Sequence, residues 1–359
     1  MNDYIELMQK AIGLALKGKG FTSPNPIVGC LIYDEESKEI VGEGFHVFSG
    51  GPHAEVNAIQ DAILNIGSVK GKTLITTLEP CCHRGKKTPP CTDLIINSKI
   101  KKVIIGTLDP NKLVSANGIK TLETNGVDVV AGVLESDCKV INEIYNYNTI
   151  NKQPFVSMKV ASSIDGKIAL SNGESKYITS AASRAVVHDL RFFNDAILVG
   201  LGTVIKDDPR LDVRLGKYKD LRKDRKIIVY GRVLDFKYHD FHIFKEPENI
   251  IFINYGEKVS SENYPFEIIS HCGDWKKTFT EVYNRGVNSV LVEPGKKLFK
   301  DLVTSNAVNK FYFHQSPSII GSGISFSDEI TISELNDRIF LKPAGLKKVG
   351  DEIHYEAYL

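Results

Sequence analysis

Net charge is almost absent from this sequence: 45 Lys and Arg stand against 44 Asp and Glu, a formal charge of +1. No global field therefore exists to hold nucleic acid or an anionic membrane. Tryptophan occurs once, as Trp275, and no basic strip interleaved with aromatics is visible, so the platform of a nucleic-acid-editing module is missing. No apolar run approaches the roughly 20 residues needed to span a bilayer. The opening MNDYIELMQKAIGLALKG mixes acids into a helical pattern and lacks a basic stretch leading into an apolar core. That argues against a signal or transit peptide and for a cytoplasmic protein. Internal repeats, low-complexity tracts and a Rossmann G-x-G-x-x-G are also lacking. A small-molecule substrate fits these absences better than a macromolecule, and oligomeric state is left open.

Cysteine is scarce, six in 359 residues, and Cys81, Cys82 and Cys91 crowd into one short segment. A disulfide framework would spread them, and a chain of this length needs no staples. The cluster reads as metal chemistry instead. At roughly 150 residues per domain the length implies two domains.

Ile5, Met8, Ile12 and Ala15 recur at three- and four-residue steps, which predicts an amphipathic helix from Asp3 to Lys17 that Gly18 and Gly20 end. Strands are expected at Val28–Tyr33, Ile40–Phe45, Leu74–Leu78, Val103–Gly106 and Val127–Val130, with helices beginning near His53 and over Thr92–Ser98. Alternation of strands and helices implies an α/β layered sheet. Between Val140 and Gln153 the chain turns polar and Asn-rich before Pro154, which places a domain boundary near Asn151 and domains at 1–150 and 151–359. Beyond it, strands are expected at Phe155–Val160, Ala196–Val199, Lys226–Val229, Ile250–Ile253 and Ser289–Val292, with helices around Ala185 and Thr278.

The strongest local signal is His53-Ala54-Glu55, followed by Glu79-Pro80-Cys81 and, after a loop, Pro89-Pro90-Cys91. These match the H-x-E and P-C elements of zinc nucleobase deaminases. One imidazole and two thiolates, from His53, Cys81 and Cys91, fill three tetrahedral positions of one zinc ion and leave the fourth for water, which then ionises near neutral pH. Glu55 lies too close to His53 to be a further ligand; its carboxyl can take a proton from water and pass it to a ring nitrogen and the departing amine. Cys81 and Cys91 each fall just before or at an expected helix start, where backbone N–H groups favour the thiolate. The competing reading has His83 or Cys82 close the shell as a fourth ligand, which would make the zinc architectural.

At Thr22-Ser23-Pro24-Asn25-Pro26-Ile27-Val28-Gly29-Cys30, Pro52-His53-Ala54-Glu55, Glu79-Pro80-Cys81 and Thr88-Pro89-Pro90-Cys91, the sequence resembles the bifunctional riboflavin-biosynthesis deaminase/reductases. The resemblance continues through Lys159 to Lys167, Gly173 to Ser180, Asp195 to Val204 and Asp207 to Arg214, and so covers nearly the whole chain. It implies a cytidine-deaminase-like three-layer domain followed by a dihydrofolate-reductase-like α/β domain that uses NADPH. It also implies deamination of a diaminopyrimidinone ribosyl phosphate and then reduction of the ribosyl to a ribityl chain. By position, Asn25, His83, Lys87, Thr88, Asp109 and Asn111 would contact the deaminase substrate. Lys159, Ser175, Arg191, Leu211, Arg214 and Glu293 would lie near the reductase substrate, the two arginines suiting its phosphate. Ala161, Tyr177, Thr203, Asp207 and Gly295 fall on the cofactor side, where Gly200 and Gly202 let backbone approach the dinucleotide.

This chain also departs from the family pattern. The loop from Cys81 to Cys91 carries one residue more, which leaves open whether Lys86 or Lys87 faces the substrate. Lys112 stands for the usual proline and Tyr177 for a tryptophan, Asp212 for a threonine, and Tyr230-Gly231 where a strand normally ends in aspartate. The turn after Glu293 reads Pro294-Gly295-Lys296. Asp212 adds a negative charge where a phosphate is expected, which leaves as the alternative a deaminase whose reductase-like half has lost activity.

Overall fold

The computed structural model describes residues 2–82, 89–111, 115–221, 224–235 and 237–359. Its contacts divide the chain into two compact units, Met1–Lys152 and Gln153–Leu359. Among the described residues no helix is long and apolar enough to cross a membrane.

The first unit runs α1 (Asn2–Leu16), β1 (Gly29–Asp34), β2 (Glu39–Phe45), α2 (Ala54–Ile66), β3 (Thr73–Leu78), α3 (Cys91–Asn97), β4 (Lys102–Thr107), α4 (Asn117–Thr124), β5 (Asp128–Ala131), α5 (Glu135–Ile141) and α6 (Glu143–Asn151). Its five strands lie in the order β2-β1-β3-β4-β5. β1 is antiparallel to both neighbours, whereas β3, β4 and β5 are parallel. Alternate residues of each strand serve opposite faces. Leu31, Ile75 and Ile104 pack with Met8 and Ala11 of α1 and Cys138 of α5. Cys30, Ile32, Leu74, Val103 and Ile105 pack with Ala58 and Ile59 of α2, Ile95 of α3 and Leu122 of α4. The result is a three-layer α/β/α unit, and each fully buried aliphatic in it contributes on the order of 2 kcal/mol.

Two glycines set how closely α2 approaches the sheet. A Cβ on Gly42 would come within 2.5 Å of the Ala58 carbonyl oxygen, and one on Gly44 within 2.4 Å of the Ala54 carbonyl oxygen. The small side chains of Ala58 and Ala62 complete the contact, so helix backbone rests almost directly on strand backbone. The Asn-rich stretch before Pro154 is helical as α6, although no apolar stripe marks it. Its preceding residue Asn142 is buried and pairs its amide with both backbone groups of Ile27, at 2.9 Å each.

The second unit contains β6 (Phe155–Ser163), β7 (Lys167–Ala169), α7 (Ala181–Phe193), β8 (Ala196–Gly200), α8 (Leu201–Asp207), β9 (Lys226–Gly231), β10 (Ile250–Tyr255), β11 (Glu267–His271), α9 (Trp275–Asn284), β12 (Ser289–Glu293), α10 (Lys296–Thr304), β13 (Lys310–Ser316), β14 (Ile324–Ser325), β15 (Lys342–Val349) and β16 (Glu352–Tyr358). Nine strands form one sheet in the order β11-β10-β9-β8-β12-β6-β13-β16-β15. It is parallel from β11 to β13 and closes with the antiparallel β15–β16 hairpin. One face packs Val156, Met158, Leu198 and Val292 against Trp275, Phe279, Leu298 and Leu302. The other packs Ile197, Val199 and Phe252 against Leu201, Val204 and Phe244. Ser180 starts α7 by accepting a hydrogen bond from Ser183 N at 3.3 Å.

From β8 the chain moves outward to β9, whereas from β12 it moves the other way to β13. Adjacent parallel strands whose connections diverge leave a crevice at their carboxyl ends, the usual ligand position of an open α/β sheet. Glu293 ends β12 and Gly200 ends β8, so this topology points both at the same crevice.

Candidate functional site

In the first unit, His53 is the N-cap of α2 and Cys91 the first residue of α3, while Cys81 lies in the loop after β3. Cys81 is thus not at a helix start, yet it profits from one: Cys91 N at the head of α3 donates to Cys81 Sγ at 3.4 Å. His53 Nδ1 is 3.2 Å from Cys91 Sγ and 3.6 Å from Cys81 Sγ, and all three donor atoms lie within 4.8 Å of one another. Tetrahedral zinc, with bonds of about 2.3 Å to sulfur and about 2.0 Å to nitrogen, separates its donors by roughly 3.5–3.8 Å. The donor set and its spacing fit zinc.

The two sulfurs divide their charge. A hydrogen bond from Cys91 pulls the Cys81 thiol down to about 4 against the cost of burial, with His53 helping. The same bond, with burial and Glu55 behind it, pushes Cys91 well above its ordinary value. One proton is shared where a divalent cation would displace it. Cys82 stands outside the cluster, and its thiol is raised, first by burial and then by Glu79 and Cys81. Cys82→Ser is therefore expected to retain one zinc per chain and full ammonia release; metal analysis and activity of the variant check it.

Glu55, in the first turn of α2, is 4% exposed, and its carboxyl is hydrogen-bonded to the Cys91 thiol. Burial, then the charge on Cys81, raises it to about 7. A cation beside it would draw that value down. It stands next to the ligand set with its headgroup on the same side, as general acid–base work requires.

Asn25 reaches this cluster through a residue that sequence reasoning passed over. His46, 3% exposed, faces the Pro52 carbonyl with Nδ1 at 2.9 Å and Asn25 Nδ2 with Nε2 at 3.3 Å, and its ring meets that of His53 edge-on at 5.7 Å. Burial lowers its pKa, with the Pro52 carbonyl opposing and the His53 charge assisting. A carbonyl can only accept, so Nδ1 carries the proton and Nε2 takes the hydrogen bond from Asn25. The clamp of Asn142 on Ile27 holds the same segment from behind. Asp109 is buried after β4, where Asp109 Oδ1 accepts from Asn111 N at 2.9 Å and from the Tyr145 hydroxyl of α6 at 3.0 Å. His83, Lys86, Lys87 and Thr88 lie outside the described residues.

In the second unit, Glu293 gathers two of the expected cations. Arg191 of α7 grips it with both ends of the fork, Nε to Oε1 at 2.6 Å and Nη2 to Oε2 at 3.0 Å, and Lys159 of β6 stands 3.7 Å away. All three side chains are at most 15% exposed. Burial would raise the Glu293 carboxyl, but Arg191 and then Lys159 overcome it and hold it at about 2. Lys159 is the yielding partner, lowered by burial and by Arg191 despite Glu293.

Arg191 Nη1 also donates to the Asp212 carbonyl at 3.1 Å, and Arg214 N donates to His188 Nδ1 at 3.1 Å. The Asp212 carboxylate pairs with both Arg210 and Arg214, so its charge is answered locally by two guanidiniums. His188, absent from the sequence reading, is buried, and burial followed by Arg191 and Arg214 lowers it to about 4. Leu211 has its side chain in the core.

Of the residues expected to face the cofactor, Thr203 Oγ1 would lie 3.8 Å from a Cβ on Gly295, so the residues after β8 and β12 meet at the crevice. Open space lies over Gly200 and Gly202, the uncovered backbone that a dinucleotide needs. Asp207 ends α8, and Ala161 lies on β6 opposite His314. Tyr177 is 70% exposed with the Arg184 guanidinium 4.1 Å from its ring centre. Among the described residues neither it nor Ser175 makes a hydrogen bond or ion pair to the Glu293 cluster.

Comparison with known proteins finds relatives for both units. Residues 1–107 match the cytidine and deoxycytidylate deaminase zinc-binding region, and residues 154–355 match the RibD C-terminal domain. The riboflavin biosynthesis protein RibD of Aquifex aeolicus is 34% identical, covering 96% of either chain. That of Actinobacillus pleuropneumoniae is 35% identical over 97% of this chain and 93% of its own. Among solved structures, the Thermotoga maritima diaminohydroxyphosphoribosylaminopyrimidine deaminase/5-amino-6-(5-phosphoribosylamino)uracil reductase superposes with a TM-score of 0.89 at 37% identity, covering 99% of each chain.

Proposed function

The chain belongs to the RibD family of riboflavin-biosynthesis enzymes, and from that premise we propose how its two residue clusters divide the chemistry. It is a bifunctional enzyme with zinc-dependent deaminase and NADPH-dependent reductase activities. The observation that carries the first assignment is the convergence of His53, Cys81 and Cys91 beside a buried Glu55.

His53, Cys81 and Cys91 would hold the zinc, which when bound supplies the acidity that makes water a nucleophile at neutral pH. Glu55 takes the proton of the attacking water and hands it to a ring nitrogen, then to the departing amine. Water and the amino-pyrimidine become ammonia and a carbonyl, with no net redox change. Asn25, fixed by His46, and Asp109, fixed by Tyr145, are assigned to the ring and its ribosyl side, and His83, Lys87 and Thr88 are carried over as further substrate contacts.

In the second unit the nicotinamide, when bound, supplies hydride to the ribosyl carbon. Reduction also consumes a proton. Lys159, whose ammonium is made more acidic by burial and by Arg191, is assigned to hold it at Nζ. Arg191, Arg214, Ser175 and the Leu211 backbone are assigned to the phosphorylated substrate, with Glu293 orienting Arg191 and Lys159. Ala161, Tyr177, Thr203, Asp207 and Gly295 are assigned to the cofactor. A cytoplasmic enzyme acting on a small phosphorylated pyrimidine, without nucleic acid, accords with the charge balance.

The paired assay tests both halves. Without NADPH, the purified chain is expected to release ammonia and accumulate the deaminated species; with NADPH it proceeds to the ribityl product. Removing zinc with a chelator is expected to abolish ammonia release, restored on adding zinc, while NADPH consumption on pre-deaminated substrate persists. Ammonia release from metal-free chain would remove the zinc assignment.

A further inference from the structure

Glu79 is named by the sequence only as the residue before Pro80-Cys81, but the structure gives it four partners. It is 3% exposed. Oε2 accepts from Asp109 N at 3.2 Å and Ala116 N at 3.1 Å; Oε1 accepts from Gly118 N at 2.9 Å and Ile119 N at 3.4 Å. A carboxylate offers about four lone-pair positions on its two oxygens, and these fill them. The donors come from Asp109, two residues past β4, and from the N-cap Ala116 and first turn of α4. The contact is close: a Cβ on Gly118 would come within 2.5 Å of the Pro80 carbonyl oxygen and 2.9 Å of Glu79 Oε1.

One side chain on the turn that carries ligand Cys81 thus ties down the backbone that presents Asp109 and Asn111. From this geometry we infer that Glu79 is a positioning residue of the deaminase reaction, setting the distance between the metal-ligand turn and the substrate-facing Asp109. The inference rests on the reading of Asp109 and Asn111 as facing the deaminase substrate. Charge-assisted bonds from four amides require both oxygens as acceptors. Glutamine supplies one oxygen and turns an NH2 group toward two N–H donors, so one end of the tie is lost while shape is kept. Zinc is held by other atoms, and the Glu55 carboxyl belongs to α2. The loss therefore falls on binding that is equal in ground and transition states, which raises KM without lowering kcat.

The test uses the full zinc-loaded chain. Glu79→Gln is expected to keep one zinc per chain and the wild-type rate of NADPH consumption on pre-deaminated substrate. Its KM for the diaminopyrimidinone ribosyl phosphate should rise at least about tenfold, with kcat within about threefold. Tyr145→Phe, which loosens Asp109 from the other side, should raise KM in the same direction by less. An unchanged KM in Glu79→Gln overturns the inference, as does zinc loss with falling kcat and constant KM, which would assign Glu79 to the ligand turn alone. If Glu79→Gln loses its front-unit fold, Tyr145→Phe decides, and an unchanged KM there overturns it. A wild-type chain that releases no ammonia would instead strike the underlying deaminase reading.

Discussion

Glu55→Ala is expected to keep its zinc and its fold and to lose deaminase turnover by roughly 10³-fold or more, the upper part of the range for a positioned acid–base group. Three observations set that expectation. His53, Cys81 and Cys91 form the compact donor set without Glu55, so metal retention does not depend on it. The carboxyl is 4% exposed and hydrogen-bonded to Cys91, so no bulk base can take its place. It lies in the first turn of α2, two residues past the ligand His53, so the proton acceptor and that ligand share one helix end. Glu55→Gln, which preserves volume and charge-free packing, should fall nearly as far. NADPH consumption on pre-deaminated substrate serves as the control within the same molecule. Full ammonia release from Glu55→Ala would mean that the zinc is architectural.

Glu293→Ala is expected to abolish NADPH turnover and to destabilise the second unit by about 3 kcal/mol, the low end of the cost of stripping one partner from a buried ion pair. The low end applies because Lys159, already lowered by burial, can shed its proton, whereas Arg191 cannot. Ammonia release should be unchanged. The pH dependence has a definite sign. Glu293 is held at about 2 in the folded chain against an ordinary 4.5. A depressed carboxylate contributes its full stability above the unfolded value, so the contribution is present above about pH 4.5 and is lost as pH falls towards 2. Wild type should therefore lose its advantage over Glu293→Ala across that interval in denaturant melts followed in the second unit. Equal stability at pH 7, or NADPH turnover at the wild-type rate, would remove Glu293 from the site.

The metal cluster was legible because its chemistry is written locally. Histidine and glutamate two apart, and cysteines after Pro80 and Pro90, announce a ligand set before any fold is known. The repeated alternation of β-branched runs with helical spacing likewise announced the layered sheets, and β1, β2, β3 and β4 fall within a residue or two of the expected positions. What could not be read acts through distant partners. His46 matters because of Asn25, Glu79 because of Gly118, and Tyr145 because of Asp109, 36 residues away. None of these pairings leaves a periodic trace.

The strands β13 and β16 escaped for a different reason. Lys310, His314, Glu352 and His354 are buried on one face of the sheet, and the rings of His314 and His354 stack at 3.7 Å. Polar side chains at interior positions erase the apolar alternation by which a strand is recognised. Asp212 shows the limit of reading charge alone. As a lone acid near an expected phosphate it suggested a damaged reductase, yet it pairs with Arg210 and Arg214 while its carbonyl holds Arg191. The full-length relatives give no support to a chain that has kept the deaminase alone.

The missing side chains at Gly42 and Gly44 bear on the metal centre from a distance. Because α2 lies flush on β2, the height at which His53 and Glu55 emerge is dictated by hydrogen atoms on the strand below, not by any group that touches substrate. A single methyl there would act like a shim under a lever, lifting the imidazole away from two sulfurs whose perches on other elements stay put. Ligand geometry in this enzyme is thus partly governed by empty volume, and residues without chemistry of their own carry a share of its tolerance to change.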